Sequence, residues 1–353
     1  MNLIQSKYLS GALGMAAIAL SFALSPVEAR AVTCTPSGNY NTVYPTGSIF
    51  YITSNPYGDE GSTTNGDCID VVSTTGANTA AWYTQWKQSE SNDDSVYAYP
   101  EVVFPGGSDT ASGLPVGLSS IASIPSIWNY QLTNSDPDGY DVAYDIWVGS
   151  TPTTTTSDEI MIWTNAAFGQ SGNTVGTFTN GGITFNVVQT LPAQYSWTNH
   201  PVYSFCSTSE VSSVNIDISK FLDYLTSNGY ISSSWYLQSV DAGIEIRNGT
   251  GSLNTTEYDT YATLGTAIVP EIEVGTGAWQ ATNAVTATHG TKISLGPQPT
   301  SGGSWSWTGP SGFTSTARQI SVTPTSAGTY NYTATYTNTS NVKTQETFTI
   351  TAD

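Results

Sequence analysis

The chain consists of many short runs rich in Val, Ile, Thr, Tyr and Trp, and each run ends at Gly, Asn, Asp or Pro. Such runs are typical of antiparallel strands that form a sandwich or a barrel. Apolar residues at helical spacing are almost absent. The pattern therefore predicts an all-β fold, either a sandwich or a barrel of antiparallel strands.

One segment, residues 217–229, departs from this pattern and predicts a single short helix. Phe221, Leu222 and Leu225 would lie on one face of that helix. Asp217 or Ser219 can cap its start, and the pair Asn228-Gly229 can close its end.

The character of the sequence changes after residue 270, which predicts two units of unequal size. Residues 32–270 form one large unit, and residues 274–353 contain four alternating strands. The run Ala327-Gly328-Thr329-Tyr330-Asn331-Tyr332 resembles the corner of an immunoglobulin-like sandwich. Two interpretations stay open for this second unit. It is a spacer if Trp305 and Trp307 are core residues, and a polysaccharide-binding module if they are surface platforms.

Three strand-like runs in the larger unit each carry a single carboxylate among apolar residues. The period of two puts Glu159, Met161 and Trp163 on one face of their strand, and Asp145 with Trp147 on one face of another. Glu245 is bracketed by isoleucines in the same manner. Each run alone also fits the solvent-exposed face of a half-buried strand. The occurrence of three such runs, two of them with a Trp beside the carboxylate, favours a functional site.

Composition removes several classes of function. Eight Lys and Arg stand against 27 Asp and Glu, which gives a net charge of -19 and excludes nucleic acid as the main partner. There is no phosphate loop, no dinucleotide fingerprint and no metal-ligand spacing among the three cysteines. A Ser/His/Asp triad would depend on His200, which we interpret as a polar loop residue. We also hypothesise that the protein works in acid, where self-repulsion relaxes.

The N-terminus, residues 1–31, is expected to be an export signal. Lys7 precedes an apolar stretch from Leu9 to Leu24, and small residues follow at Ala29 and Ala31. We therefore expect a secreted protein that is monomeric and has no membrane partner. In an oxidising compartment Cys34 and Cys68 could close one disulfide, which would leave Cys206 as an odd, buried thiol.

Carboxylates beside aromatic side chains are the set of groups that cleavage of a glycosidic bond requires. One carboxylic acid protonates the leaving oxygen, one carboxylate attacks the anomeric carbon, and aromatic faces stack on sugar rings. This chemistry needs neither a metal nor a cofactor. The sequence thus indicates a polysaccharide hydrolase.

The same residues resemble glycoside hydrolase family 12. The resemblance runs in order over residues 34–265 and rests on several segments: Ser54-Asn55-Pro56-Tyr57-Gly58, Tyr99-Pro100-Glu101, Asp141-Val142-Ala143-Tyr144-Asp145, Glu159-Ile160-Met161-Ile162-Trp163, Phe221-Leu222-Asp223-Tyr224-Leu225 and Ala242-Gly243-Ile244-Glu245.

The resemblance implies a concanavalin-like β-jelly roll whose inner sheet forms an open cleft for β-glucan, with one helix on the outside. It implies that Glu159 is the nucleophile, that Glu245 is the general acid/base, and that Asp145 hydrogen-bonds the nucleophile. It also implies retaining hydrolysis with the two glutamate carboxyl groups about 5 to 5.5 Å apart. Substrate contacts are expected from Asn55, Tyr57, Met161, Trp163 and Trp147, and the disulfide from Cys34 and Cys68.

Two positions depart from the family pattern. Tyr57 stands where the family has Trp, so it covers less of a sugar ring. Ile246-Arg247 replaces Pro-Phe after the acid/base, and an inward-pointing Arg247 would lower the pKa of Glu245. The leading expectation is an endo-β-1,4-glucanase acting on unbranched glucan. The alternatives are a xyloglucan-specific endoglucanase and, from another class, a non-catalytic carbohydrate-binding surface protein.

Overall fold

The computed structural model describes residues 42–45, 48–56, 66–74, 79–88, 96–104, 114–134, 139–153, 158–166, 169–195 and 198–353, with only the backbone for residues 66–74, 88 and 134. The predicted export signal, Cys34, Tyr57 and the side chain of Cys68 lie outside the described residues, so the expected disulfide does too. In the part of the chain that is described, no helix has the length and apolar character needed to cross a membrane.

The described residues are almost entirely strands, as the alternation of short apolar runs predicts. In chain order, the first strands are β1 (Thr42–Val43), β2 (Tyr51–Thr53), β3 (Gly66–Thr74), β4 (Thr79–Gln88), β5 (Glu101–Phe104), β6 (Val116–Gly117), β7 (Ile121–Ser123), β8 (Pro125–Asn134), β9 (Tyr140–Gly149), β10 (Asp158–Ala166), β11 (Asn173–Asn180), β12 (Ile183–Thr190), β13 (Val202–Ser207) and β14 (Ser213–Asp217). They are followed by helix α1 (Ser219–Ser227) and by β15 (Tyr236–Ile246), β16 (Gly249–Thr260) and β17 (Thr263–Leu264).

Two large sheets enclose the main core. The larger sheet has the order β1-β2-β5-β15-β9-β10-β13-β12-β11, with β6 paired to β15, and the second sheet has the order β14-β8-β16-β4-β3. Side chains such as Tyr144, Ile160 and Ile244 pack in the core, as do Trp82 and Trp86. These two tryptophans are almost completely buried and therefore act as packing residues.

Helix α1 forms where the sequence predicts it, and its caps are those that the prediction names. Oδ1 of Asp217 accepts hydrogen bonds from the backbone N–H and the hydroxyl of Ser219, at 3.1 and 2.7 Å. Gly229 ends the helix with a φ of +74°, a value that glycine adopts without strain. Phe221, Leu222 and Leu225 are buried.

The C-terminal residues build a second hydrophobic core of their own. Their strands are β18 (Ile272–Val274), β19 (Ala284–Ala287), β20 (Ile293–Leu295), β21 (Gly303–Thr308), β22 (Thr314–Ser315), β23 (Ile320–Val322), β24 (Gly328–Asn338) and β25 (Lys343–Ala352). They form a three-stranded sheet, β18-β20-β23, and a five-stranded sheet, β19-β25-β24-β21-β22. Trp305 and Trp307 are buried in this second core, so neither ring is free to stack on a sugar.

Candidate active site

Three adjacent strands, β15, β9 and β10, bring carboxyl groups to one face of the larger sheet. Residues directly opposite each other in an antiparallel pair share a face, and both Met161 and Asp241 lie opposite Asp145. Because side chains alternate along a strand, Glu159 joins Met161 on this face and Glu245 joins Asp241. We call it the acidic face; it carries Glu101, Asp141, Asp145, Glu159, Asp241 and Glu245.

The two glutamates flank β9 from opposite sides and from different levels. Glu159 pairs with Trp147 and Glu245 pairs with Asp141, six residues earlier on β9. The two carboxyl groups interact despite this offset, since the charge of Glu159 raises the pKa of Glu245.

Asp145 lies at the centre of the acidic face, in surroundings that favour the neutral form of its carboxyl group. Burial is the largest cause that raises its pKa well above the ordinary range, followed by the charges of Glu159 and Asp241. Its Oδ1 has no hydrogen-bond partner among the described residues. The hydrogen bond expected between Asp145 and Glu159 is thus not formed in this structure, although the two groups interact by charge.

The pKa of Glu245 is raised, whereas the inward-pointing Arg247 alone was expected to lower it. Burial is the largest cause; the neighbouring Asp141 carboxyl group lowers the pKa, the charge of Glu159 raises it, and the charge of Arg247 lowers it least. Arg247 thus acts in the expected direction but is outweighed. A glutamic acid that keeps its proton is what a general acid requires.

Asn55 contacts the acidic face at the β5 side. Its Nδ2 donates a hydrogen bond of 2.8 Å to Oε1 of Glu101, and its backbone has a φ of +38°, a conformation that asparagine tolerates better than most residues. The amide therefore helps to satisfy a buried carboxyl group in this structure. Burial and the charge of Asp241 raise the pKa of Glu101.

The proposed nucleophile has an imidazole partner that the sequence analysis did not anticipate. Nε2 of His200 lies 2.9 Å from Oε2 of Glu159. His200 stands in the segment just before β13, and its ring meets the ring of Trp147 edge-on at a centroid distance of 5.3 Å. The interpretation of His200 as an ordinary loop residue missed this contact.

With the fold and the acidic face described, comparison with known proteins identifies the family. The model of glycosyl hydrolase family 12 matches residues 49–263, which include the acidic face. The chain belongs to this family. It is therefore a glycoside hydrolase, as the resemblance indicated.

Known relatives match between 50% and 69% of this family 12 hydrolase. The xyloglucan-specific endo-β-1,4-glucanase A of Emericella nidulans is 32% identical over 251 residues, which are 69% of this chain and 95% of the relative. Endoglucanase S of Pectobacterium parmentieri is 33% identical over 187 residues, which are 50% of this chain and 69% of the relative. The native family 12 xyloglucanase from Bacillus licheniformis has a TM-score of 0.55 at 28% identity, covering 65% of this chain and 99% of that one.

Two of the expected substrate contacts in this family 12 hydrolase are too deeply buried for stacking. Met161 and Trp163 share the face of Glu159, as predicted, but are only 3% and 2% exposed. They pack with Ala143 and Val202 in a small cluster of their own. They therefore support the site from below. Trp147 is half-buried and holds the ring of His200.

Within the described ranges, no group of three or more Asp, Glu, His and Cys side chains has the geometry to hold a metal ion. Cys206 is a free, half-buried thiol that packs beside the Met161 cluster, and burial raises its pKa to about 12. The thiol is therefore unreactive at ordinary pH.

Three carboxylates of the acidic face, Asp141, Asp241 and Glu101, were not predicted as site residues. Each lies on an apolar strand, and Asp141 and Asp241 are separated from Asp145 and Glu245 by an even number of residues. The alternation of side chains along the strand could therefore have placed both aspartates on the same face as the predicted site residues.

Proposed function

We propose that this hydrolase cleaves internal β-1,4-glucosidic bonds with retention, using Glu159 as the nucleophile and Glu245 as the general acid/base. The observation that carries the proposal is the pair of glutamates on one face, on either side of Asp145, with the pKa of Glu245 raised by burial. A raised pKa favours the protonated form of Glu245, which suits the general acid of a retaining glycosidase.

In the first step, Glu245 protonates the glycosidic oxygen while a carboxylate oxygen of Glu159 attacks the anomeric carbon. The aglycone leaves, and the glycone remains as an ester of Glu159. Burial supports this step, because it keeps the proton on Glu245 until the leaving oxygen takes it.

In the second step, water attacks the anomeric carbon of the ester. Glu245, now ionised, accepts the proton from that water, and Glu159 leaves as a carboxylate. Because burial raises the pKa of Asp145 and so favours its neutral form, repulsion of the departing carboxylate is reduced.

For the substrate, xyloglucan is a second candidate beside unbranched β-1,4-glucan. The relatives from Emericella nidulans and Bacillus licheniformis are named for xyloglucan, and the relative from Pectobacterium parmentieri is named an endoglucanase. The names of these relatives favour xyloglucan as the substrate. The test compares the initial rates of reducing-sugar release on xyloglucan and on carboxymethylcellulose. A higher rate on carboxymethylcellulose would support unbranched β-1,4-glucan instead.

The roles of the two glutamates are tested by Glu159→Gln and Glu245→Gln, with the exposed Glu257→Gln as the matched control. On polysaccharide both site variants should lose activity, Glu245→Gln by about 10²- to 10⁴-fold. An aryl β-cellobioside with a strongly activated leaving group needs no proton, so ester formation should persist in Glu245→Gln and not in Glu159→Gln. Hydrolysis of that glycoside by Glu159→Gln would remove Glu159 from the nucleophile's role.

A test of stereochemistry is independent of the variants. Proton NMR during the first minutes of hydrolysis should record the β-anomer as the initial product. An α-anomer would contradict retention, and no product at all from any glucan would favour a non-catalytic binding protein.

We propose that residues 274–353 form an immunoglobulin-like accessory unit that serves as a spacer. Burial of Trp305 and Trp307 supports a spacer, because the two residues with most stacking area are packed inside. Secretion, with residues 1–31 as the signal, and a monomeric state complete the proposal. Substituting Trp307 with Phe should lower stability and leave the affinity for insoluble cellulose unchanged.

A further inference from the structure

The segment that carries His200 is fixed to the backbone of Glu159. The amide N–H of Glu159 donates to the carbonyl oxygen of Pro201 at 3.0 Å, and Glu159 pairs with Val202 in the parallel ladder between β10 and β13. His200 is thus one residue away from a backbone hydrogen bond to Glu159 itself. Its place beside the carboxyl group follows from strand pairing.

Both neighbours of the imidazole ring limit how it can turn. Nε2 meets Oε2 of Glu159 at 2.9 Å, and the ring edge lies against Trp147, which is itself opposite Glu159 in the β9–β10 register. The side chains of His200 and Glu159 are 22% and 15% exposed, so the contact is largely shielded from water. Such shielding strengthens a hydrogen bond to a charged group.

The hydrogen-bond partners show which nitrogen carries a proton. Nδ1 lies 2.7 Å from Oδ1 of Asn199, an acceptor, and an ionised Glu159 is also an acceptor. With the Asn199 amide in this orientation, both ring nitrogens donate and the ring is a cation. With the amide turned round, Nδ1 accepts and the ring is neutral. In both arrangements the proton on Nε2 is donated to Glu159.

We propose that His200 is a positioning residue for Glu159: its Nε2–H holds Oε2 in place and leaves Oε1 as the oxygen that attacks the anomeric carbon. The proposal rests on the proposed role of Glu159 as the nucleophile. Among the described residues, the only side-chain hydrogen bond of Glu159 is the one to His200. Oε1 is therefore the oxygen without a competing partner there.

The contact acts differently on the two chemical steps. The hydrogen bond is strongest while Glu159 is a carboxylate and weakens when Glu159 becomes an ester, because the ester oxygen carries less charge. When water cleaves the ester, the electron pair of the breaking C–O bond returns to Glu159 and Glu245 takes the proton of the water. The donor on His200 stabilises the carboxylate that forms. It therefore favours release of the glycosyl group over its capture.

Two carboxyl groups face His200 and influence its charge. Glu159 is the hydrogen-bond partner, and the charge of His200 lowers the pKa of Asp158 against a larger effect of burial. Burial and the charge of Glu159 raise the pKa of Asp145, which favours the neutral form of Asp145 beside Glu159.

The test compares His200→Ala, which removes the donor, with His200→Gln, which keeps an uncharged N–H donor. The chain has only two histidines, so His289→Gln, on an exposed site beyond the acidic face, is a matched control. With an activated aryl β-cellobioside, kcat is set by ester hydrolysis. We expect His200→Ala to lower kcat by about 10- to 100-fold, the value of one hydrogen bond to a charged group, and to lower KM as well, because the ester accumulates.

His200→Gln should recover part of the loss, and His289→Gln should match the unchanged protein. A merely structural defect would lower the concentration of active enzyme and leave KM unchanged. Unchanged kcat and KM in His200→Ala, or a loss of kcat with unchanged KM, would overturn the proposal.

A second measurement does not depend on activity. Nitrogen-15 NMR of the two histidine rings should show that Glu159→Gln changes the pH titration of His200 and leaves that of His289 as it was. An identical titration of His200 in both proteins would overturn the contact. A Glu159→Gln variant that still hydrolyses the activated glycoside would instead contradict the proposed nucleophile, so the two failures are distinguishable.

Discussion

Replacing Glu346 with glutamine should make the fold more stable at alkaline pH. Glu346 lies on β25, is 4% exposed, and accepts a hydrogen bond of 2.8 Å from Nδ2 of Asn283. Burial raises its pKa to about 7; hydrogen bonds from Asn283 and Ser233 lower the pKa, and the charge of Asp223 raises it. Ser233 follows helix α1, so this carboxyl group lies where the C-terminal sheet packs against the jelly roll.

The sign and the size follow from proton linkage. Below the ordinary value of 4.5 both the folded and the unfolded chain hold the proton, and the stabilising contribution is fully present. Above 4.5 the unfolded chain releases the proton first, so the free energy of unfolding falls until the pH passes the folded value of about 7. Each tenfold change in acid strength corresponds to about 1.4 kcal/mol, so the loss is about 3 kcal/mol.

Glutamine has the shape of the protonated acid and still accepts a hydrogen bond from Asn283. The free energy of unfolding of Glu346→Gln and of the unchanged protein can be measured with urea at pH 4 and at pH 8. The difference between the two proteins, in favour of the variant, should be about 3 kcal/mol larger at pH 8 than at pH 4. Glu257→Gln, on an exposed site, should show no such pH dependence. A difference for Glu346→Gln that is the same at both pH values would refute the reasoning.

Three further substitutions test other parts of the structure. Asp141→Ala removes the neighbouring carboxyl group that lowers the pKa of Glu245, so the alkaline limb of kcat/KM against pH should move to higher pH, whereas Asp141→Asn, which keeps a polar group that can donate to Glu245, should move it less. Phe221→Ala, which empties the fully buried contact of α1 with the larger sheet, should cost about 3 to 5 kcal/mol in urea unfolding; a cost under about 1 kcal/mol would contradict the packing. Gly243→Ala should lower both thermal stability and activity, because its Cβ would collide with the carbonyl oxygen of Pro100 and with Cβ of Glu101; an unchanged melting temperature would contradict that approach.

The sequence predicted the strands and their faces because side-chain alternation is a local property. Glu159, Asp145 and Glu245 lie on one face, as period two requires. Depth is not local. Met161 and Trp163 alternate with the core residues of β10 and so lie on the acidic face. How deeply they are buried depends on the segments that pack over them, and the sequence of β10 alone does not predict this.

The contacts of the site were less predictable for the same reason. His200 reaches Glu159 because β13 pairs in parallel with β10, a pairing between strands separated by two others in the sequence. For the pKa of Glu245, the sequence predicted only the lowering effect that an inward-pointing Arg247 would have, whereas the pKa is raised. Arg247 is a sequence neighbour and could be weighed in advance, whereas burial, the larger effect, arises only in the fold.

The scarcity of cations explains how the acidic face is stabilised. With eight Lys and Arg for 27 Asp and Glu, the chain cannot pair each buried carboxylate, and an unpaired buried charge is costly. Burial therefore raises the pKa of Asp145, and of Asp241 to about 8, so that both are neutral at acid pH. Cationic groups of the described residues reach only the two ends of this face, His200 at Glu159 and Arg247 at Glu245. A rise in pH that ionises Asp241 would add negative charge to the acidic face beside the departing carboxylate of Glu159, so we expect the acidic composition to go with activity in acid.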